Sequence, residues 1–142
     1  MIKSPDGYSS KCKMNSDWMM RPLPMKPDFL NKLGFSKSTT SKQISGQPAF
    51  FKFILSVKNG PILDGYIDPV TSGFTKGVIF VNGRNLGRYW NIGPQKTLYL
   101  PGPWLKLGNN EIIVFDEMPN DKNFELSFSI KHELGSKNLR PA

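Results

Sequence analysis

From residue 48 onward, apolar side chains recur at every second position in short stretches that end at Gly, Pro or Asn. A period of two is that of a β-strand, whose successive side chains point to opposite faces of a sheet. In the first such stretch the apolar face carries Phe51, Phe53, Leu55 and Val57, and the polar face carries Lys52, Ser56 and Lys58. This pattern restricts the chain to folds that are built from short strands with one buried face.

The stretch Val78–Val81 is apolar on both faces, which predicts a central strand that is covered on both sides. It ends at Asn82-Gly83, a hairpin-turn signal. We predict further strands at 65–68, 97–100, 111–115 and 124–130, the last with Phe124, Leu126, Phe128 and Ile130 facing the core. Strands do not alternate with helices, and no internal repeat is visible. The predicted fold class is therefore all-β, an antiparallel β-sandwich or jelly roll.

One short helix is expected ahead of the strands, over residues 26–34. Pro27 suits a first helical position, Asp28 favours the positive end of the helix dipole, and Gly34 suits a stop. The fold class is thus all-β with a short N-terminal helix.

The sequence pattern divides the chain into three segments. Residues 1–24 are interpreted as an N-terminal tail or the remnant of an inter-domain segment, 25–134 as the sandwich domain, and 135–142 as a C-terminal tail. The first segment contains an apolar patch, Trp18-Met19-Met20, and such a patch usually packs against another surface. We expect that surface to belong to a preceding domain.

Composition excludes several function classes. The net charge is +8, but the Lys and Arg residues are scattered without a basic run, so nucleic acid is not an expected partner. No apolar run approaches the ~20 residues that span a bilayer, so no membrane span is expected. The N-terminus as given has no apolar core of a signal peptide. Cys12 is the only cysteine, so no internal disulfide is expected.

The chain offers little for catalysis, and we expect no catalytic residue, metal or cofactor. Its one histidine, His132, is interpreted as an exposed residue at a strand end and lies far from Cys12 in sequence. Adjacent carboxylates such as Asp116 and Glu117 point to opposite sides of a strand. Glycoside hydrolysis needs two carboxyl groups that flank one bond, and two side chains on opposite sides of a strand do not suit that arrangement. We therefore interpret both residues as solvated charges.

A dense segment of aromatic and polar residues covers 76–105. Aromatic rings can stack on a sugar, and Arg and Asn can bind its hydroxyls. The same aromatic residues could instead be core or interface anchors on which the arginines rest, which is the interpretation we favour. The candidate residues for carbohydrate binding or for docking on another domain are Arg84, Asn85, Arg88, Tyr89, Trp90 and Trp104, together with Trp18.

This segment resembles the C-terminal galactose-binding-like jelly roll of β-galactosidases in glycoside hydrolase family 35, in particular that of animal β-galactosidase-like proteins. The resemblance rests on KGVIFVNG at 76–83, NLGRYW at 85–90, GPQ at 93–95, TLYLP at 97–101 and NEIIVF at 110–115. The resemblance implies a retaining hydrolase that releases terminal β-linked galactose with two glutamates. Those glutamates sit in an N-terminal (β/α)₈ barrel, which needs roughly 250 residues and is not in this chain.

The resemblance leaves three functions open. The chain could be a non-catalytic module that packs on and supports the barrel, a free-standing module that binds galactose, or part of an active β-galactosidase when full length. The family also implies a lysosomal or secreted location.

Overall fold

The computed structural model describes residues 22–35, 46–120 and 124–131. It contains one short helix, α1 (Pro27–Leu30), and a 3-10 turn at Gly102–Trp104. The strands are β1 (Ala49–Val57), β2 (Gly65–Asp68), β3 (Lys76–Val81), β4 (Arg84–Trp90), β5 (Leu98–Leu100), β6 (Gly108–Asp116) and β7 (Ser127–Ser129). No helix in these ranges is long and apolar enough to cross a membrane.

The strands form two antiparallel sheets. The larger sheet has the order β1-β6-β3-β4 and the smaller has the order β5-β2-β7. The fold is therefore an all-β antiparallel sandwich with a short N-terminal helix, which confirms the predicted fold class. The pairing of β3 and β4 shifts by one residue between Ile79 and Phe80, where Leu86 is the extra residue of a bulge.

The main core lies between the sheets. The inward faces of the strands meet there, because a half-apolar strand can bury its apolar face only against another layer. Its buried members are Ile67, Phe74, Ile79, Val81, Tyr89, Leu98, Leu100, Ile112 and Val114. Phe51, Phe53 and Leu55 of β1 pack against them from the sheet edge, as their spacing predicts.

A second cluster covers the outer face of the larger sheet. Leu30 of α1 packs there with Phe80 and Ile113, and Phe29 meets Phe50 with ring centroids 5.9 Å apart. Strand β3 therefore has apolar neighbours on both faces, which confirms the prediction for Val78–Val81. The helix has four residues and is shorter than predicted, although Pro27 does occupy its first turn.

The observed strands differ from the prediction in two places. Strand β4 was not predicted, since its Arg, Asn and Gly residues break the apolar alternation. The strand predicted at 124–130 is reduced to Ser127–Ser129, and Phe128 and Ile130 are exposed. Phe124 and Leu126 do pack on the core. Strand β7 pairs only with β2 and ends where the sandwich opens, so nothing in the described part of the chain covers its last apolar residues.

Candidate functional site

The candidate residues divide between the two ends of β4. Direct cross-strand partners share a face, so Trp90, Arg88 and Asn85 lie on the outer face opposite Lys76, Val78 and Phe80. Arg84 lies at the other end of the strand, with its guanidinium carbon 5.6 Å from the centroid of the Trp104 ring. The structure therefore does not bring these residues into one site. Trp18, like Cys12 and His132, is outside the described residues.

Trp90 is the most accessible aromatic residue of this set, with half of its surface exposed. The Nζ atom of Lys76 lies 5.9 Å from its ring centroid, within the range of a cation–π contact. Lys76 is held in turn by Glu117, at 2.6 Å. The exposed ring of Trp90, next to the Lys76–Glu117 ion pair, is the feature of β4 that could contact a ligand.

Tyr89 is only 4% exposed and lies in the core, so its side chain has no surface to offer a sugar or another domain. Its hydroxyl donates to Oδ2 of Asp116, at 2.9 Å. Burial, and then the charge of Asp116, raises the pKa of the Tyr89 phenol far above its usual range. Tyr89 is thus the core anchor that one of the two sequence interpretations expected.

Asp116 is fully buried, which corrects its interpretation as a solvated charge. Besides the Tyr89 hydroxyl, its carboxylate accepts from the backbone N–H of Thr75 (2.6 Å), the hydroxyl of Thr75 (2.9 Å) and the N–H of Met118 (2.8 Å). Within the described residues these four bonds all come from N–H and O–H donors, the groups that favour a charged carboxylate. We call Asp116, Thr75, Tyr89 and Gly77 the carboxylate end of the sandwich.

Gly77 is part of the carboxylate end because no residue with a side chain fits at this position. A Cβ atom there would lie 1.8 Å from the carbonyl oxygen of Phe115. The absence of a side chain lets β3 approach β6 closely enough for the Tyr89–Asp116 contact to form.

At the opposite end two amides replace the carboxylate. Asn82 stands in the β3–β4 turn with φ +49°, and its Nδ2 donates to Oδ1 of Asn110 and to the carbonyl of Trp104, both at 2.9 Å. Asn110 is fully buried and donates from its own Nδ2 to the carbonyls of Lys106 (2.7 Å) and Gly108 (3.2 Å). We call Asn82, Asn110 and Trp104 the amide end.

An apolar pocket opens near the amide end, between the two sheets, and we call it the mouth. Its volume is about 210 Å³. It is lined by Leu55, Leu63, Asp64, Gly65, Tyr66, Leu100, Leu105, Phe128, Ser129 and Ile130. Leu63 and Ile130 are 69% and 79% exposed. Sequence reasoning missed the mouth, because Ile130 was expected in the core and Leu63 carries no signal of its own.

Asp64 is the charged residue of the mouth. Its carboxylate accepts from the hydroxyl of Tyr99 and from the N–H of Gly102, the latter at 2.7 Å. These two donors, Tyr99 first, hold the pKa of the Asp64 carboxyl below its usual value. The same bond raises the pKa of the Tyr99 phenol.

The remaining carboxylates do not form a reactive pair within the described ranges. Asp68 accepts from the N–H groups of Val70 and Thr71 and closes its own turn. Glu111 pairs with Lys52. No three His, Cys, Asp or Glu residues of the described segments could hold a metal ion together.

A two-sheet antiparallel sandwich with buried polar networks at both ends places the described part of the chain in the class of β-sandwich domains. Residues 48–110 match the family model of the β-galactosidase galactose-binding domain. The chain therefore carries the galactose-binding domain of the β-galactosidase family, which confirms the resemblance seen in its sequence.

The relatives carry the same family name. The chain is 50% identical over 95 residues to human β-galactosidase-1-like protein 2, a match that covers 67% of this chain and 14% of the relative. It is 40% identical over 112 residues to mouse β-galactosidase-1-like protein 3, covering 79% of this chain and 16% of the relative. It is 36% identical over 112 residues to β-galactosidase 1 of Dictyostelium discoideum, covering 78% and 16%. The chain thus spans about a sixth of the length of these relatives.

Proposed function

We propose that the chain is a non-catalytic accessory module of a β-galactosidase-like glycoside hydrolase, and that it docks through its mouth on the catalytic (β/α)₈ barrel implied by the family. In this role it supports a full-length enzyme that hydrolyses terminal β-galactosides. The family further suggests a lysosomal or secreted location for that protein.

The observation that carries the proposal is the mouth. Its lining is mainly leucine, isoleucine and aromatic side chains, and Leu63 and Ile130 at its edge are largely exposed. Adjacent apolar side chains left open to water mark a surface that another surface covers. The small share of each relative that the chain matches supports a partner within the same polypeptide.

The buried polar groups of the sandwich support an accessory role as well. Asp116 and Asn110 are fully buried and bonded to neighbouring strands and turns, so they hold the fold together. Neither is free to reach a substrate. Catalysis is therefore assigned to the part of the enzyme outside this chain.

A chimera tests the docking proposal. This chain replaces the 95 matching residues of human β-galactosidase-1-like protein 2, and thermal unfolding and protease resistance are measured. Ile130→Asp should lower the Tm and expose new cleavage sites, because it places a charge in a closed apolar contact. Ile92→Asp is the matched control, since Ile92 is 77% exposed and lies in the turn after β4. Equal behaviour of the two variants would overturn the proposal.

The half-exposed ring of Trp90 favours a second candidate, a free-standing module that binds galactose. The ring offers a stacking surface, and Lys76, Glu117 and Arg88 offer hydrogen bonds to hydroxyl groups. Galactose titration followed by tryptophan fluorescence tests it. Saturable binding that Trp90→Ala abolishes and Trp104→Phe retains would support this candidate, whereas no response at millimolar galactose would exclude it.

A further inference from the structure

Two Asn-Gly pairs occur in the sequence, and both lie between strands. Asn59-Gly60 follows β1, and Asn82-Gly83 joins β3 to β4. In such a pair the side-chain amide is open to attack by the next backbone nitrogen, because glycine has no side chain to block the approach. The two pairs share this chemistry and differ in the structure around them.

The side chain of Asn82 is held on both of its polar atoms. Its Nδ2 donates to Oδ1 of Asn110 and to the carbonyl of Trp104, and its Oδ1 accepts from the N–H of Glu111 at 3.0 Å. The backbone N–H of Asn82 donates to the carbonyl of Glu111, at 2.9 Å. The amide therefore cannot turn toward the nitrogen of Gly83 until these bonds open.

The side chain of Asn59 has no such restraint. Asn59 and Gly60 are both exposed, and within the described ranges the Asn59 side chain makes no hydrogen bond. A Cβ atom placed on Gly60 would meet nothing within 4 Å. The side chain can therefore rotate until its Cγ reaches the Gly60 nitrogen, the near-attack arrangement that such a reaction needs.

We infer that Asn59 is a site of spontaneous deamidation and that Asn82 is protected from the same reaction. The Gly60 nitrogen loses its proton to water or hydroxide and attacks Cγ of Asn59. The new C–N bond closes a cyclic imide, and ammonia leaves. Water then opens either C–N bond of the imide, which leaves aspartate or isoaspartate at position 59. The net change is one water consumed and one ammonia released, with no change of oxidation state.

The modification falls in a connection next to the docking surface. Residues 58–64 join β1 to β2, and Leu55 and Leu63, on either side of the pair in sequence, both line the mouth. Conversion adds a negative charge to this connection, and the isoaspartate form also lengthens its main chain. Since Asn59 contributes no side-chain bond to the described fold, the modified chain stays folded.

Peptide mapping by mass spectrometry tests the inference on the intact chain, before and after incubation at mildly alkaline pH. Trypsin cleavage after Lys58, Lys76 and Arg84 gives the peptides 59–76 and 77–84, and each contains a single asparagine. A gain in mass from amide to carboxyl therefore reports one site. Asn59 should convert at least about tenfold faster than Asn82, the factor that corresponds to about 1.4 kcal/mol of local opening at Asn82.

Incubation of the chain in guanidinium chloride is the matched control. Unfolding removes the bonds that restrain Asn82, so the two peptides should then convert at similar rates. Similar rates in the folded chain would overturn the inference. An Asn59 peptide that stays unmodified in the folded chain, while the unfolded chain converts, would also overturn it.

Two variants separate the modification from its effect on the fold. Asn59→Asp should leave the Tm unchanged. Asn82→Asp should lower it, because a carboxylate cannot donate to the Trp104 carbonyl or to Asn110. A lower Tm for Asn59→Asp would contradict a modified chain that stays folded, and an unchanged Tm for Asn82→Asp would contradict the protection of Asn82 by its bonds.

Discussion

The two ends of the sandwich hold their strands with side chains of nearly the same size but different hydrogen-bonding character. At the carboxylate end, Asp116 accepts from N–H and O–H groups alone. At the amide end, Asn110 accepts from Asn82 and from the N–H of Lys106, and it also donates to three backbone carbonyls, the longest bond being that to Leu55 at 3.5 Å. Each end has a side chain whose donors and acceptors match those around it.

This difference shows how backbone geometry selects the residue. The turn after β6 directs N–H groups inward, so an acceptor-only group satisfies them, and a negative charge strengthens those bonds. The turn before β6 directs carbonyls as well as an N–H inward, so only an amide satisfies both. Buried polar groups left unpaired are costly, which makes the two residues poorly interchangeable.

Gly77→Ala should break the carboxylate end most severely. The new Cβ would collide with the Phe115 carbonyl, which is backbone and cannot turn aside. We expect a loss of about 4 kcal/mol or more in the free energy of unfolding, measured by urea denaturation. Gly34→Ala is the control, because a Cβ there meets nothing within 4 Å, and it should change stability by less than about 0.5 kcal/mol. Similar stability of both variants would contradict the close approach of β3 and β6.

Asp116→Asn should cost about 2–3 kcal/mol, because the new amide group would face N–H donors that the carboxylate now satisfies. Chemical denaturation at neutral pH measures it. Glu117→Gln, at the neighbouring half-exposed position, should change stability by only about 0.5 kcal/mol. A tolerated Asp116→Asn would mean that the carboxylate end does not require an acceptor-only group.

The reverse exchange, Asn110→Asp, should cost roughly 1–3 kcal/mol at neutral pH and much less in acid. The introduced carboxyl would be buried against the carbonyls of Lys106 and Gly108, which disfavours its charged form and raises its folded pKa above the unfolded ~3.9. The folded state would then bind more protons, so stability is highest below pH ~4 and falls as pH rises through the folded pKa. Denaturation of variant and wild type at pH 4 and 7 tests this, and a difference that is independent of pH would contradict it.

Tyr99→Phe should produce the smallest effect, and it extends the comparison to a second carboxylate, Asp64, which is exposed. It removes the main cause of the lowered pKa of Asp64, so that pKa should rise toward its usual value. In the wild type the lowered pKa contributes stability that is present above the unfolded pKa and lost as pH falls through the folded one. NMR titration of the Asp64 carboxyl measures the shift, with Tyr66→Phe as the control. An unchanged titration would show that Gly102 alone holds this carboxylate.

Much of the fold was predictable from the sequence because burial repeats along a strand. The alternation in β1 identified a strand with one buried face, and the doubly apolar β3 identified a central strand. Strand β4 was missed because its Arg, Asn and Gly residues interrupt the apolar alternation. Phe128 and Ile130 were placed wrongly, because alternation tells which side chains share a face and not whether another layer covers that face.

The site was less predictable, because its parts are distant in the chain. The donors to Asp116 come from Thr75 and Tyr89 on other segments, and no local pattern links them. The mouth combines Leu55, Leu63, Leu105 and Ile130, whose meeting depends on the complete topology. The dense aromatic segment was recognised, but its residues divide between the core, the outer face and the amide end.

The pairing of β1 with β6 also has a consequence for how the chain acquires its structure. Ala49 pairs with Asp116 and Val57 with Gly108, whereas the β3–β4 hairpin closes over a two-residue turn. Distant pairings form slowly, because closing a long loop costs conformational entropy before the paired strands make any stabilising contact. We therefore expect the hairpin to form early and β1 to join last. Until then the Phe51, Phe53 and Leu55 side chains remain open to other chains, so the yield of folded protein should fall as its concentration during refolding rises.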